Sequence, residues 1–273
     1  MKKAGRINRT LRILLKPFHW LYVLYAFVVF IALMILVFVW ALLVLPLGRI
    51  KAGNLIYYGC IVWADLWFPL VGIWHRNIYL QKPRKGQSYI FVANHISYLD
   101  SAIIPKTFRH PVRPLGKVEM SRIPVFGFIY KNVIVTVDRS SAENRVRSVQ
   151  LLKSVLSKGI SVLVFPEGTF NTTHQPLKSF YDGAFRVAIE TQTPVQPVLL
   201  LDSYSRMHYD SIFTLNPGIS RSLFLPGVSV AGMTAEDLPL LKARVFEIMQ
   251  KALIEYGAQW IDNTPVHQQS ENT

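Results

Sequence analysis

This sequence predicts an α/β domain: a mostly parallel sheet flanked by helices, preceded by an N-terminal membrane-embedded helical hairpin. Three observations lead there. From Ser88 onward, short β-branched runs alternate with helical patterns, the rhythm of strand–helix–strand units. Leu21 to Leu47 is a run of 27 residues without a charge, longer than the roughly 20 needed to cross a bilayer. Residues 1–64 hold eight basic residues and no acid, the first carboxylate being Asp65. A length of 273 residues suits an anchor plus one globular domain of about 200 residues. The expected division is 1–84 for the basic N-terminus and anchoring helices, 85–260 for the catalytic domain and 261–273 for a flexible tail.

The first apolar run is too long for a signal-peptide core, and no small-residue cleavage site follows it. The second, Leu55 to Trp74, carries Asp65 in its middle. A carboxylate at the bilayer centre costs roughly 3 kcal/mol unless protonated or paired. That run therefore reads either as an inserted helix or as an amphipathic helix lying in the interface. Six basic residues precede the first run (Lys2, Lys3, Arg6, Arg9, Arg12, Lys16), two separate the runs (Arg49, Lys51) and four follow (Arg76, Lys82, Arg84, Lys85). This distribution expects both ends of a hairpin, and the domain, on the cytoplasmic face of the inner membrane. The net charge of +14 sits largely beside apolar sequence, which favours membrane lipid over nucleic acid as partner. The single Cys60 excludes an intramolecular disulfide.

Expected strands are Ser88–Ala93, Val112–Leu115, Asn132–Val137, Gly159–Phe165, Val195–Leu201 and Ser222–Val228. Expected helices are Tyr98–Thr107, Ala142–Ser157, Ala184–Thr191 and Ala235–Tyr256. The last opens on a capping box of Thr234 and Asp237 and keeps Leu238, Leu241, Val245, Ile248, Met249 and Ala252 on one face.

The chemistry concentrates at three strand ends. Asn94 and His95 follow the run Tyr89–Ala93, with Asp100 five positions beyond His95. Asp100 falls in the first turn of a helix, from where it can reach back to fix the imidazole tautomer and steady the imidazolium. Two readings of the pair stand: a base with its orienting carboxylate, or a satisfied core histidine beside a helix cap. No Ser or Cys sits in a nucleophile-elbow pattern, so direct attack by an acceptor hydroxyl fits better than a covalent intermediate. The second cluster is Phe165-Pro166-Glu167-Gly168-Thr169. Pro166 ends a strand and Gly168 permits a tight loop, so Glu167 is either displayed at the strand edge or part of a plain βα loop. Third, Arg139 leaves the strand Val133–Val137 and Lys117 follows another; each is a phosphate-binding cation or a surface charge. His19, His75, His110, His174, His208 and His267 form no ligand-spaced pair, and neither metal nor cofactor is expected.

These segments together resemble the glycerolipid acyltransferases of the lysophosphatidic acid acyltransferase type. The family's Asn-His-x-x-x-x-Asp block is matched by Asn94, His95 and Asp100. Its strand ending in Arg is matched by Arg139, its Phe-Pro-Glu-Gly-Thr by Phe165–Thr169, and its apolar segment with two prolines by Pro194–Val198. Gly183–Arg186 looks like the stretch leading into the last block. The similarity spans about residues 85–230. It implies a glycerol-3-phosphate acyltransferase-like fold and acyl transfer from acyl-CoA or acyl-carrier protein to a lysolipid hydroxyl. His95 would be the base and Asp100 its orienter; Arg139 and Glu167 would hold the acceptor, with Lys117 helping to bind its phosphate. Asn94, Gly168 and Thr169 join that set as matched block residues. The third block usually continues with Arg-Ser or Arg-Thr, and here it reads Phe170-Asn171. Where Phe-Lys-x-Gly-Ala is common, this chain has Phe180-Tyr181-Asp182-Gly183-Ala184. Both departures remove a cation from the acceptor pocket and open a second acceptor class, a lyso-aminolipid or another lysophospholipid. A non-catalytic membrane protein would suit the basic N-terminus but leaves the four ordered blocks unexplained.

Overall fold

The computed structural model describes residues 9–137 and 142–261; Arg139, Lys2, Lys3, Arg6 and residues 262–273 of the expected tail lie outside them. Along the chain come α1 (Arg9–Val44), α2 (Arg49–Leu70), β1 (Ile73–Tyr79), β2 (Ile90–Ala93), α3 (Leu99–Thr107), β3 (Arg113–Lys117), α4 (Phe126–Val133), β4 (Val135–Val137), α5 (Ala142–Leu156), β5 (Val162–Val164), α6 (Gly183–Thr191), β6 (Val195–Leu200), α7 (Ser203–Arg206), β7 (Gly218–Phe224) and α8 (Leu238–Glu255).

The strands form one sheet in the order β1-β7-β6-β2-β5-β3-β4. β6, β2, β5, β3 and β4 run parallel, β7 is antiparallel to β6, and β1 is parallel to β7. The expected α/β class is borne out. Alternating strand residues feed two cores. Phe91, Leu163, Val198 and Leu200 face the layer of α1–α4, while Ile90, Val92, Val162 and Leu199 face α5, α6 and α8. β2, which leads into His95, is thus a central strand with helices over both faces.

α1 and α2 pack antiparallel, and aromatic donors stitch them together. Trp40 Nε1 donates to the Leu55 carbonyl at 3.0 Å, Trp67 Nε1 to Ala26 at 3.0 Å and the Tyr22 hydroxyl to Val71 at 2.8 Å. These bonds account for Trp40, deep within an otherwise aliphatic run. The second arm of the hairpin packs one face against the domain. Ala52, Gly53, Ile56, Tyr57, Ile61, Ala64 and Phe68 are buried. A Cβ on Gly53 would lie 2.7 Å from the Asn132 carbonyl, so the missing side chain lets α2 close on the end of α4. Asp65 is bound by Lys106 at 2.8 Å and Arg109 at 2.6 Å, which gives the carboxylate partners on the domain itself. Among the described residues, one helical stretch, Lys16–Leu47, is long and apolar enough to cross a membrane.

Three boundaries moved for non-local reasons. The sheet begins at Ile73, upstream of the expected boundary at residue 85, because β1 pairs in register with β7, Ile73 opposite Gly218. Asn132 and Val133, expected in a strand, end α4 instead. β7 occupies Gly218–Phe224 rather than Ser222–Val228: pairing with β1 extends it upstream, and Pro226 with Gly227 stops it.

Candidate active site

The parallel strands direct their C-terminal ends to one edge of the sheet, where open α/β folds place ligands. His95 follows β2, Glu167 follows β5 and Lys117 closes β3. Sequence-distant residues meet here because β2 lies between β6 and β5.

His95 Nδ1 lies 2.8 Å from Asp100 Oδ2. The same oxygen accepts the backbone N–H groups of Ile96 at 2.8 Å and Ser97 at 2.9 Å. With two N–H donors already aimed at it, Oδ2 is an acceptor, so Nδ1 carries the proton and Nε2 is left basic. Asp100 is fully buried, and its Oδ1 has no hydrogen-bond partner among the described residues. The imidazole keeps a 20% exposed side chain. Its ring stacks on Phe165 with centroids 4.2 Å apart, and Phe170 meets it edge-on at 4.5 Å.

Glu167 is 2% exposed. Its Oε1 accepts the His95 N–H at 2.9 Å and its Oε2 the Lys178 N–H at 2.8 Å. Burial raises its pKa to about 7, against the opposing pull of those two bonds. Both oxygens accept backbone N–H groups, so Glu167 ties the main chain of the base to that of Lys178. Asn94 is likewise turned inward: Nδ2 donates to the Leu200 carbonyl at 3.1 Å and Oδ1 accepts the Leu200 N–H at 2.8 Å. These bonds lock β2 to β6 just before His95. The Thr169 hydroxyl accepts from Lys178 Nζ at 2.7 Å. Gly168 takes φ +76°, a left-handed conformation that favours glycine and turns the chain after Glu167. Lys117 is 70% exposed and pairs with Glu119 at 3.2 Å.

Several contributors escaped the sequence reading. Ser97 anchors the turn through its hydroxyl, 2.5 Å from the Met207 carbonyl. The Asn171 N–H donates to the His95 carbonyl at 2.8 Å. Phe165 and Phe170 sit at the ends of the Pro166–Thr169 stretch, a signal that was visible in the sequence without revealing that both rings touch the base. Beside the site lies an apolar cavity of about 360 Å³, walled by Phe30 and Met34 of α1, Trp67 of α2, Ala102 of α3 and Ile129 of α4. Tyr98 also lines it, and its ring meets Phe170 at 4.8 Å, so two aromatic rings link the cavity to the base.

A family model described as Acyltransferase matches residues 75–201, which hold His95, Asp100, Glu167 and both strands of the Asn94 lock. A 1-acyl-sn-glycerol-3-phosphate acyltransferase of Cocos nucifera is 26% identical over 207 residues, 72% of this chain and 64% of its own length. The alpha form of that enzyme from Mus musculus is 31% identical over 160 residues, 57% of this chain and 55% of its own. Residues 75–201 of this chain are thus similar to the acyltransferase family. The chain spans under two thirds of the length of those two relatives. The crystal structure of the 1-acyl-sn-glycerophosphate acyltransferase PlsC from Thermotoga maritima shares its fold, with a TM-score of 0.70 and 23% identity over 93% of this chain and all of that one.

Against the family pattern, the Phe170-Asn171 departure has structural consequences. Phe170 puts a ring on the base where the pattern has a cation. Asn171 is buried and bonds the Gln175 carbonyl at 2.8 Å and the Thr173 hydroxyl at 2.7 Å, so it shapes the loop.

Proposed function

We propose that this protein moves a fatty acyl group from acyl-CoA or acyl-carrier protein to the hydroxyl of 1-acyl-sn-glycerol-3-phosphate, giving phosphatidic acid. The observation that carries the reading is the His95–Asp100 bond of 2.8 Å, which leaves Nε2 as a base next to an apolar cavity. The acyl chain lies in that cavity and the acceptor hydroxyl within about 3 Å of Nε2. As the hydroxyl oxygen attacks the thioester carbon, a C–O bond forms and Nε2 takes the proton. Asp100 steadies the imidazolium. The tetrahedral intermediate collapses, the C–S bond breaks, and the leaving thiolate receives that proton. The acyl donor is a co-substrate; no further cofactor enters.

The setting is the surface of a membrane. α1 leaves Leu21, Leu24, Val28, Ile31 and Ile35 exposed, and α2 leaves Tyr58, Val62, Leu66 and Leu70 exposed at four-residue spacing. The two helices offer an apolar face that a bilayer would cover. A cytosolic thioester donor requires the site on the cytoplasmic side of the inner membrane. The aromatic residues Phe170 and Tyr181 favour a second acceptor class, a lyso-aminolipid or other lysophospholipid.

The test is thiol release by purified protein given acyl-CoA and a panel of lysolipids. Turnover with lysophosphatidic acid that vanishes in His95→Ala supports the reading. A variant with normal turnover removes His95 as the base, and a clear preference for a lyso-aminolipid replaces the acceptor.

A further inference from the structure

Lys178 belongs to the segment between β5 and α6, and its charge has an unusual setting. Its backbone N–H is held by Glu167 Oε2 at 2.8 Å while Glu167 Oε1 holds the His95 N–H at 2.9 Å. One buried carboxylate therefore fixes the main chains of the base and of this lysine relative to each other. The side chain then folds back to the strand edge. Nζ donates to the Thr169 hydroxyl at 2.7 Å and lies 3.4 Å from the Phe170 carbonyl, in the same residue whose ring touches the imidazole.

Both partners of Nζ are neutral. Among the described residues, no carboxylate oxygen lies within salt-bridge distance of Lys178, whereas Lys106, Lys117, Lys153 and Lys242 are each paired with one. Lys117, one of the two cations that the sequence marks for phosphate, is already paired and largely exposed. A half-buried ammonium held in place by a hydroxyl and a carbonyl retains both its charge and a free donor for an anion. We infer that Lys178 is a phosphate-binding cation of the acceptor site, seating the phosphate of the lysolipid while His95 receives the proton of its hydroxyl. This rests on the acceptor reading given above, and phosphates of a CoA donor are the other source of the same chemistry.

Two measurements on the full chain in mixed micelles test it. The first is steady-state thiol release with acyl-CoA and lysophosphatidic acid for wild type, Lys178→Gln and Lys178→Arg. Lys178→Gln should raise the acceptor KM about tenfold or more, the loss expected for one charge-assisted bond, with kcat and donor KM within about twofold; Lys178→Arg should recover most of it. With monoacylglycerol, which presents a hydroxyl without the phosphate, Lys178→Gln and wild type should be equal. The second measurement is the rise in Tm caused by glycerol 3-phosphate, expected in wild type and lost in Lys178→Gln. An unchanged acceptor KM, or a shift in donor KM alone, overturns the assignment and leaves the acyltransferase reading intact. Stabilisation by glycerol 3-phosphate that depends on Lys178, in a protein inactive on lysophosphatidic acid, keeps Lys178 as a phosphate site and overturns the acceptor instead. No stabilisation in either protein, together with equal KM values, removes the site altogether.

Discussion

Around His95, nearly every polar atom has a partner of fixed identity; in the cavity between α1 and α4, the walls are fixed only in bulk. Asp100 Oδ2 alone gathers a ring nitrogen and two backbone N–H groups, and Glu167 gathers two more. Removing one member of such a network strands the others in a buried site, and that penalty exceeds the bond's own net worth. The cavity wall instead draws aliphatic and aromatic side chains from four helices, where a swap of similar volume usually costs under about 1.5 kcal/mol. The chemistry is therefore brittle and its container is tolerant.

The largest expected effect breaks the brittle side. His95→Ala should lower kcat by about 10²–10⁴-fold, the range for a positioned general base, with KM for the donor little changed. Asp100→Asn comes next. It can keep an acceptor facing the three donors but loses the charge beside the imidazolium, so about 10²-fold in kcat is expected, read in the same thiol-release assay. An Asn variant as active as wild type would show that the carboxylate is only a turn brace.

Glu167→Gln should be milder, about tenfold in kcat, because it disturbs the base's backbone and not its ring. One of its two acceptors becomes a donor facing an N–H, costing about 1–3 kcal/mol of stability. This residue also carries a pH signature. Burial raises its pKa from 4.5 to about 7, so between those values the folded chain binds more protons than the unfolded one. The contribution is present in full below pH 4.5 and is lost as pH rises through 7. Thermal unfolding should show the gap in Tm between wild type and Glu167→Gln narrowing from acid to neutral pH; a gap that widens would contradict the burial argument.

The cavity sharpens the contrast from the other side. Ala102→Leu should reduce kcat/KM for long-chain donors by about tenfold, a few methylenes' worth of lost space, and spare short ones. Phe30→Leu, a milder change in the same wall, should stay within about threefold for both. If Phe30→Leu instead matched the loss from Asp100→Asn, the container would be as exacting as the chemistry and the comparison would fail.

What the sequence settled by itself is local. The five-residue step from His95 to Asp100 brings ring and carboxylate together because one turn at a helix start spans that distance. Alternating apolar runs set the α/β class, since each pattern answers to its own backbone period. The apolar length of α1 was equally plain. Everything that joins distant segments was decided by tertiary structure. Glu167 stood open between a displayed carboxylate and a plain loop residue until strand order put β5 beside β2 and turned both its oxygens onto backbone. Asn94 became a lock because β6 lies on the other side. α2 gained its place on the domain only when Asp65 met Lys106 and Arg109, and β1 was hidden because its partner β7 lies at the far end of the chain. Lys178 acquires its place only through the carboxylate that also holds the base. Local spacing encodes contacts whose closure is nearly free, whereas long-range pairing depends on which strands the whole core selects as neighbours.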